Sequence, residues 1–292
     1  MTSDPICLRV KGQFACFTRP EFHVERVSYP VITPSAARGI LEAILMKPIE
    51  KPEAHKRHNK VGFRWVITRL GIVNKGTMFS ILRNEIQSEE GAGQNLRDGI
   101  STSKIGYDIS NVATDRSQRH SLILRDVEYL IEAAIEVPSF AGKQALGHLR
   151  KYEGMFRRRS AAGQCFYQPF LGCREFSVRE WEPLSRCAQS GEWQLSDDVK
   201  QRMARYDGEN GDFGFLFHDF DFGPIWSHWP SRGREISTPR PSEWPEFGNN
   251  GSPSPHRLPG FTARAEVGWI RVPQPNPLKA YERSHYFANS SR

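Results

Sequence analysis

Two carboxylates stand two residues apart in the string HDFDF at 218–222, as Asp219 and Asp221. Paired carboxylates can hold a divalent ion for phosphodiester hydrolysis when they lie in a basic groove. On a strand, a spacing of two turns both to one side with Phe220 between them, and a packing or surface role is the expectation. The nine His are scattered, and the closest pair, in HKRH at 55–58, has cationic neighbours that would repel a metal. The chain has no Cys-x-x-Cys pair, no His-Glu-x-x-His, no phosphate loop of the Gly-x-x-x-x-Gly-Lys-Ser/Thr type and no Gly-x-Ser-x-Gly elbow. No metal and no cofactor is therefore expected. The basic segments are poor in Asp, so any nucleic-acid chemistry they support should be metal-free.

Those basic segments are the strongest functional signal in the composition. Lys and Arg total 40 against 33 Asp and Glu, a net charge of +7. By segment, residues 1–75 carry +7, residues 76–142 carry −4, residues 143–160 carry +5 and residues 161–292 carry −1. Two concentrated basic segments with an acidic stretch between them are the trace a polyanion-binding groove leaves in a sequence. No apolar run approaches the roughly 20 residues of a membrane helix. The opening MTSDPICLRV lacks a charged n-region and a long apolar h-region, so no secretory signal is expected. Five Cys without paired spacing fit a reducing cytoplasm.

The elements that must position any site follow from periodicity. ICLRV at 6–10 and FACF at 14–17 predict strand bent at Gly12. Thr33 is a good N-cap and Pro34 suits the first helical position, and Ala37, Ile40, Leu41 and Ile44 recur at helical spacing, predicting a helix over 34–46. Strands are expected at 63–73 and 78–86, and 121–137 reads as strand, with helix the rival. A second helix is expected over 142–160, with Leu149, Tyr152 and Phe156 on one face and Arg157, Arg158 and Arg159 at its end. Strand and loop follow at 164–178, then strands at 213–222 and 261–273. Residues 88–118 and 224–260 show no element and read as long excursions. The order strand, helix, strand, strand, strand, helix, strand is compatible with a ferredoxin-like domain.

Several strings taken together carry a family resemblance. GQFACFTRPEFHVERVSYPVITPSAARGILEAI at 12–44, FRWVITRLGIV at 63–73, LRNEI at 82–86, LILRDVEYLI at 122–131, MFRRRSAAGQCFYQPFLGCREF at 155–176 and the closing FTARAEVGWIRVP resemble, in order, the CRISPR-associated Cas five family, subtype d, of type I-C systems. The resemblance implies an α+β chain, with a ferredoxin-like, RNA-recognition-related domain over 1–180 and a smaller β-rich C-terminal region over 181–292. It implies a metal-independent endoribonuclease that cuts precursor CRISPR RNA within its repeat and keeps the 5′ handle. The implied partners are crRNA and the Cas seven and Cas eight subunits of an interference complex. In the implied chemistry the ribose 2′-OH attacks the adjacent phosphate and leaves a 2′,3′-cyclic phosphate. A base, a cation for the phosphorane charge and an acid are then required.

The resemblance places the site at the end of the first helix and within the second, and there this chain departs from the pattern. The family's Tyr-Trp-Lys-Pro run reads LMKP, with Leu45 in the Tyr position. Its Lys-His pair reads Lys151-Tyr152, ahead of Met155-Phe156. Lys151 retains the role of charge stabiliser. Tyr152 is a poor base, with a reference pKa near 10. His148, one helical turn earlier, is a candidate for proton transfer because imidazole titrates near neutrality; His120 is another. Backbone gripping falls to Lys11, Arg19, Arg26 and Arg38 and to Arg157, Arg158 and Arg159. Phe14, Phe17 and Phe166 fit base stacking or the core, with the core favoured. Gly163 and Gly172 either admit a phosphate or turn the chain. The alternative is a structural subunit that grips the handle without cutting, and double-stranded DNA binding is compatible with either.

Overall fold

The computed structural model describes residues 1–22, 25–47, 61–86, 116–137, 139–221, 256–257 and 260–274. It is a mixed α and β structure built on one mostly antiparallel sheet with few helices. The strands are β1 (Ile6–Ala15), β2 (Arg26–Val27), β3 (Arg64–Asn74), β4 (Thr77–Ile86), β5 (Arg116–Glu136), β6 (Glu180–Leu184), β7 (Asp212–Leu216), β8 (Phe220–Asp221), β9 (His256–Arg257), β10 (Phe261–Glu266) and β11 (Trp269–Arg271). The helices are α1 (Pro34–Ile44), α2 (Ala145–Ala161) and α3 (Asp197–Met203). The main sheet runs β6-β1-β5-β3-β11-β10-β7. The strands after residue 180 extend it at both edges. Among the described residues, only β2, which joins β5, pairs in parallel.

The 21-residue β5 is the spine. Its second half lies between β1 and β3, and its first half continues beside β4. The run SLILRDVEYLIEAAIEV is thus strand throughout, because its β-branched and aromatic residues alternate between two covered faces. β1, where a bend at Gly12 was expected, continues as strand through Gly12 to Ala15. Gly12 instead makes room for Leu171, whose Cδ1 would lie 2.1 Å from an added Cβ.

α1 and α2 cover one face. Leu8, Val10, Tyr129 and Ile131 of the sheet pack there against Ile40, Leu41 and Ile44 of α1 and Leu149, Tyr152 and Phe156 of α2. Residues one position out of phase, Cys7, Leu130 and Val73, face the other way and meet Trp193, Val199 and Met203. That second face also buries two carboxylates. Glu132 accepts from Arg69, from the Thr68 hydroxyl (2.7 Å) and from Trp193 Nε1 (2.7 Å). Burial would raise its pKa, but these donors reverse the shift and hold it below the usual value. Glu128 bridges Arg9 and Arg202.

Both helices fall close to expectation. α1 ends at Ile44, two residues early, and α2 starts at Ala145 after a 3-10 turn over Ser139–Gln144. The 164–178 segment forms no strand of its own, only a bridge between Phe170 and Ser177. The expected strand at 261–273 is the hairpin β10–β11. α3 was not anticipated, although Ser196 caps it and Asp197 and Asp198 open it. The 88–118 excursion lies outside the described residues except for 116–118, and the 224–260 excursion except for 256–257 and Gly260. Among the described residues, no helix is long and apolar enough to cross a membrane.

Candidate functional site

α1 ends where the site begins. Thr33 caps its start, accepting from the Ala36 amide, a cap that contributes about 1 kcal/mol. At the other end, helix geometry leaves the last carbonyls without partners. Three groups from elsewhere in the chain supply them. The Phe166 amide donates to the Ala43 carbonyl (2.7 Å), Arg159 Nη1 to Ile44 (3.1 Å) and Trp65 Nε1 to Leu45 (3.0 Å). The end of α1, β3 and the segment after α2 are thereby fixed to one another.

α2 lies across this junction with a divided surface. Leu149, Tyr152 and Phe156 are buried; Phe156 packs on Trp65 with ring centroids 4.8 Å apart. Arg150, Lys151, Arg157 and Arg158 are exposed, and none of them holds an ion pair among the described residues. Gly147, Lys151, Gly154 and Arg158 follow one another along the solvent side at spacings of four, three and four. Lys151 and Arg158 are two turns apart, roughly 10 Å at the helical rise. A Cβ added at either glycine would meet nothing within 4 Å, so the protein's own packing does not require glycine there.

The residues expected to move protons divide. Tyr152 belongs to the core: it is buried, its ring lies 4.8 Å from that of Phe63, and its hydroxyl donates to the Val61 carbonyl. Burial raises its pKa. This placement speaks against Tyr152 as the base, because its hydroxyl is buried and already donates to a carbonyl. Leu45 is also fully buried, a short step away through Trp65. His148 is half-buried with its ring 6.1 Å from that of Tyr152 and nearly parallel to it. His120 stands on the β4–β5 ribbon opposite Leu82.

The expected backbone-gripping cations divide more sharply. Arg38 is committed to the interior, bonded to both oxygens of Asp219 (2.7 and 2.9 Å) and to Glu42 (2.7 Å). This removes Arg38 from a contact surface and accounts for one carboxylate of HDFDF as structural. Lys11 faces Glu180 at 3.5 Å, and Arg26 lies 3.3 Å from the Cys173 sulfur and 3.7 Å from Glu175. Arg19 lies over the Tyr29 ring at 5.0 Å. Arg159 is used at the end of α1. Arg157 and Arg158 remain open to solvent. Gly163 (φ 66°) and Gly172 (φ 89°) both turn the chain, and at Gly172 an added Cβ would lie 2.0 Å from the Cys16 carbonyl oxygen. Of the three phenylalanines, Phe17 is buried and Phe14 packs on Phe79 and Phe176, whereas Phe166 is 70% exposed. Among the described residues, no three His, Cys, Asp or Glu side chains converge in a metal-binding arrangement.

With α1, α2 and their junction placed, comparison with known proteins is decisive. The Cas5d family model, described as "CRISPR-associated protein (Cas_Cas5)", matches residues 6–273. This chain belongs to the Cas5d family. Over 267 residues it is 35% identical to the CRISPR pre-crRNA endoribonuclease Cas5d of Thermus thermophilus, covering 91% of this chain and 90% of that one. Over 226 residues it is 37% identical to the enzyme of the same name from Mannheimia succiniciproducens, covering 75% of this chain and 86% of that one. A crystal structure of a CRISPR-associated protein covers 94% of both chains at 19% identity with a TM-score of 0.50, a likeness of fold. The Cas5d match spans the full length of both α1 and α2, so the junction between them belongs to the part of the chain the family defines.

Proposed function

We propose that this chain is a pre-crRNA endoribonuclease that cuts within the CRISPR repeat without a metal ion and retains the 5′ handle as a subunit beside Cas seven and Cas eight proteins. The observation that carries this reading is Lys151. It is exposed and unpaired among the described residues, on the solvent side of α2, in the position of the family's Lys. The sheet order β6-β1-β5-β3, with α1 and α2 on one face, supports a ferredoxin-like reading of the N-terminal part, with β6 (Glu180–Leu184) as its fourth strand straddling the expected boundary at 180 and the strands beyond it forming the β-rich extension.

In this mechanism RNA lies along the solvent side of α2. The ribose 2′ oxygen attacks the adjacent phosphorus and its proton passes to His148. The bond from phosphorus to the 5′ oxygen breaks, and that oxygen takes a proton from solvent. Lys151 holds the charge that builds on the phosphorane, the kind of electrostatic contribution worth about 10²–10³ in rate. Tyr152 positions the His148 ring. Such a route requires ribose, so DNA can bind but is not cut.

A second reading is a handle-binding subunit that does not cut, and it rests on Leu45 and Tyr152, both buried where the family has polar catalytic groups. Double-stranded DNA binding would use the same cations under either reading. The test is to incubate the purified protein in EDTA with repeat RNA and with the same RNA carrying 2′-deoxy at the cut site. Cutting of the ribose substrate alone, with a cyclic phosphate end, is the expected result. Tight binding with neither substrate cut would establish the second reading.

A further inference from the structure

Phe166 and Tyr167 are neighbouring aromatic residues exposed by 70% and 44% beside a packed core. Their exposure is not that of a loose loop. The Phe166 amide is held 2.7 Å from the Ala43 carbonyl, and the Tyr167 amide also points to that oxygen. Arg159 secures the neighbouring Ile44 carbonyl. The start of the segment is set by the end of α2, where the Gly163 amide returns to Ser160 and the Gln164 amide to Arg159 (2.9 Å). The two rings meet edge to face at 6.0 Å, and Tyr167 leans in turn on Phe170 at 6.5 Å. A fixed backbone thus holds two aromatic rings in water, in the segment that follows the end of α2 and its open cations Arg157 and Arg158.

We infer that Phe166 and Tyr167 form a stacking platform for an unpaired nucleobase of the RNA, next to the scissile phosphate held over α2. This deepens the proposed function and rests on it. Three observations select this occupant. A nucleobase offers a flat apolar face to match an exposed ring, and its own backbone phosphates match the adjacent cations. Arg157 and Arg158 have no acidic partners among the described residues, so an incoming phosphate displaces no existing ion pair. The platform is pinned to the last carbonyls of α1 and α2 carries Lys151, so a base seated there fixes the register of the strand relative to Lys151. The platform then selects where the chain is cut as well as how tightly it is held.

The test uses the full chain and repeat RNA labelled with 2-aminopurine at each unpaired position in turn, with the ribose at the cut site replaced by 2′-deoxyribose. Stacking on the platform quenches the fluorescence of one label. Phe166→Ala and Phe166→Leu should both abolish that quench and weaken binding by on the order of 5- to 100-fold, with an unchanged melting temperature because the side chain is exposed. Phe166→Trp should restore both. With native ribose, Phe166→Ala should also loosen the position of the cut. Quench and affinity unaltered in Phe166→Ala and Phe166→Leu would overturn the platform, as would finding that these variants lose only the binding of another protein subunit. Lys151→Ala separates the two ideas: it should keep the quench while losing cleavage. A wild-type protein that binds and quenches without cutting would sink the nuclease reading and leave the platform standing. A protein that does not bind repeat RNA would sink both.

Discussion

The two basic segments have nearly the same net charge, +7 over residues 1–75 and +5 over residues 143–160, yet they use it differently. In the first, the described cations are largely committed within the chain: Arg9 to Glu128, Lys11 to Glu180, Arg26 to Cys173 and Glu175, Arg38 to Asp219 and Glu42, and Arg69 to Glu132. In the second, Arg150, Lys151, Arg157 and Arg158 lie on one helix, face water and have no acidic partner among the described residues. Net charge along a sequence therefore locates basic residues without showing which are free to bind. On α2 four exposed cations without an acidic partner among the described residues are gathered on one helix.

The sharpest way to break this comparison is Arg38→Ala. Removing a buried cation takes from Asp219 and Glu42 their shared hydrogen-bonded partner and should cost about 3–5 kcal/mol in denaturant unfolding. RNA affinity of the folded protein should not change. A stable variant with weakened RNA binding would place Arg38 on the contact surface after all. Tyr152→Phe comes next. It deprives the Val61 carbonyl of its donor and should cost about 1–3 kcal/mol of stability, while cleavage persists. Lost cleavage in a stable variant would return the direct proton-transfer role to Tyr152.

The double variant Arg157→Ala, Arg158→Ala should weaken repeat-RNA binding on the order of tenfold. Its salt dependence should flatten by roughly 0.7 in slope for each phosphate that is no longer neutralised. Lys11→Ala, whose cation already faces Glu180, should change that slope less. Equal slopes for the two variants would erase the distinction between the segments. The smallest effect belongs to Gly154→Ala. A solvent-facing helix glycine costs roughly 0.5–1 kcal/mol relative to alanine, so the variant should melt higher. Slower cleavage in that more stable protein would indicate that the bare helix surface beside Lys151 makes room for RNA.

Much of the fold was legible because it rests on short-range patterns. The Thr33 cap, Pro34 and the apolar spacing of Ile40, Leu41 and Ile44 define α1 locally, and α2 shows the same kind of stripe. What was not legible depends on distant partners. The bonding of Arg38 is set by Asp219, 181 residues away, and nothing around Arg38 distinguishes it from Arg157. The same holds for Phe166, whose exposure follows from a backbone bond to Ala43 that leaves no mark in composition. In the candidate site, the solvent-facing placement of Lys151 on α2 follows from its position opposite the apolar stripe of Leu149, Tyr152 and Phe156. The burial of Tyr152 was half readable, since it shares the apolar stripe of Leu149 and Phe156, but the bond to Val61 was not.

The central claim is that the unpaired Lys151 on α2 acts on the phosphate being cut. The most direct measurement is single-turnover cleavage of repeat RNA by Lys151→Ala, with binding measured on the same preparation. The account predicts cleavage slower by about 10²–10³-fold with affinity reduced by no more than the share of one phosphate. Cleavage at the wild-type rate would contradict it.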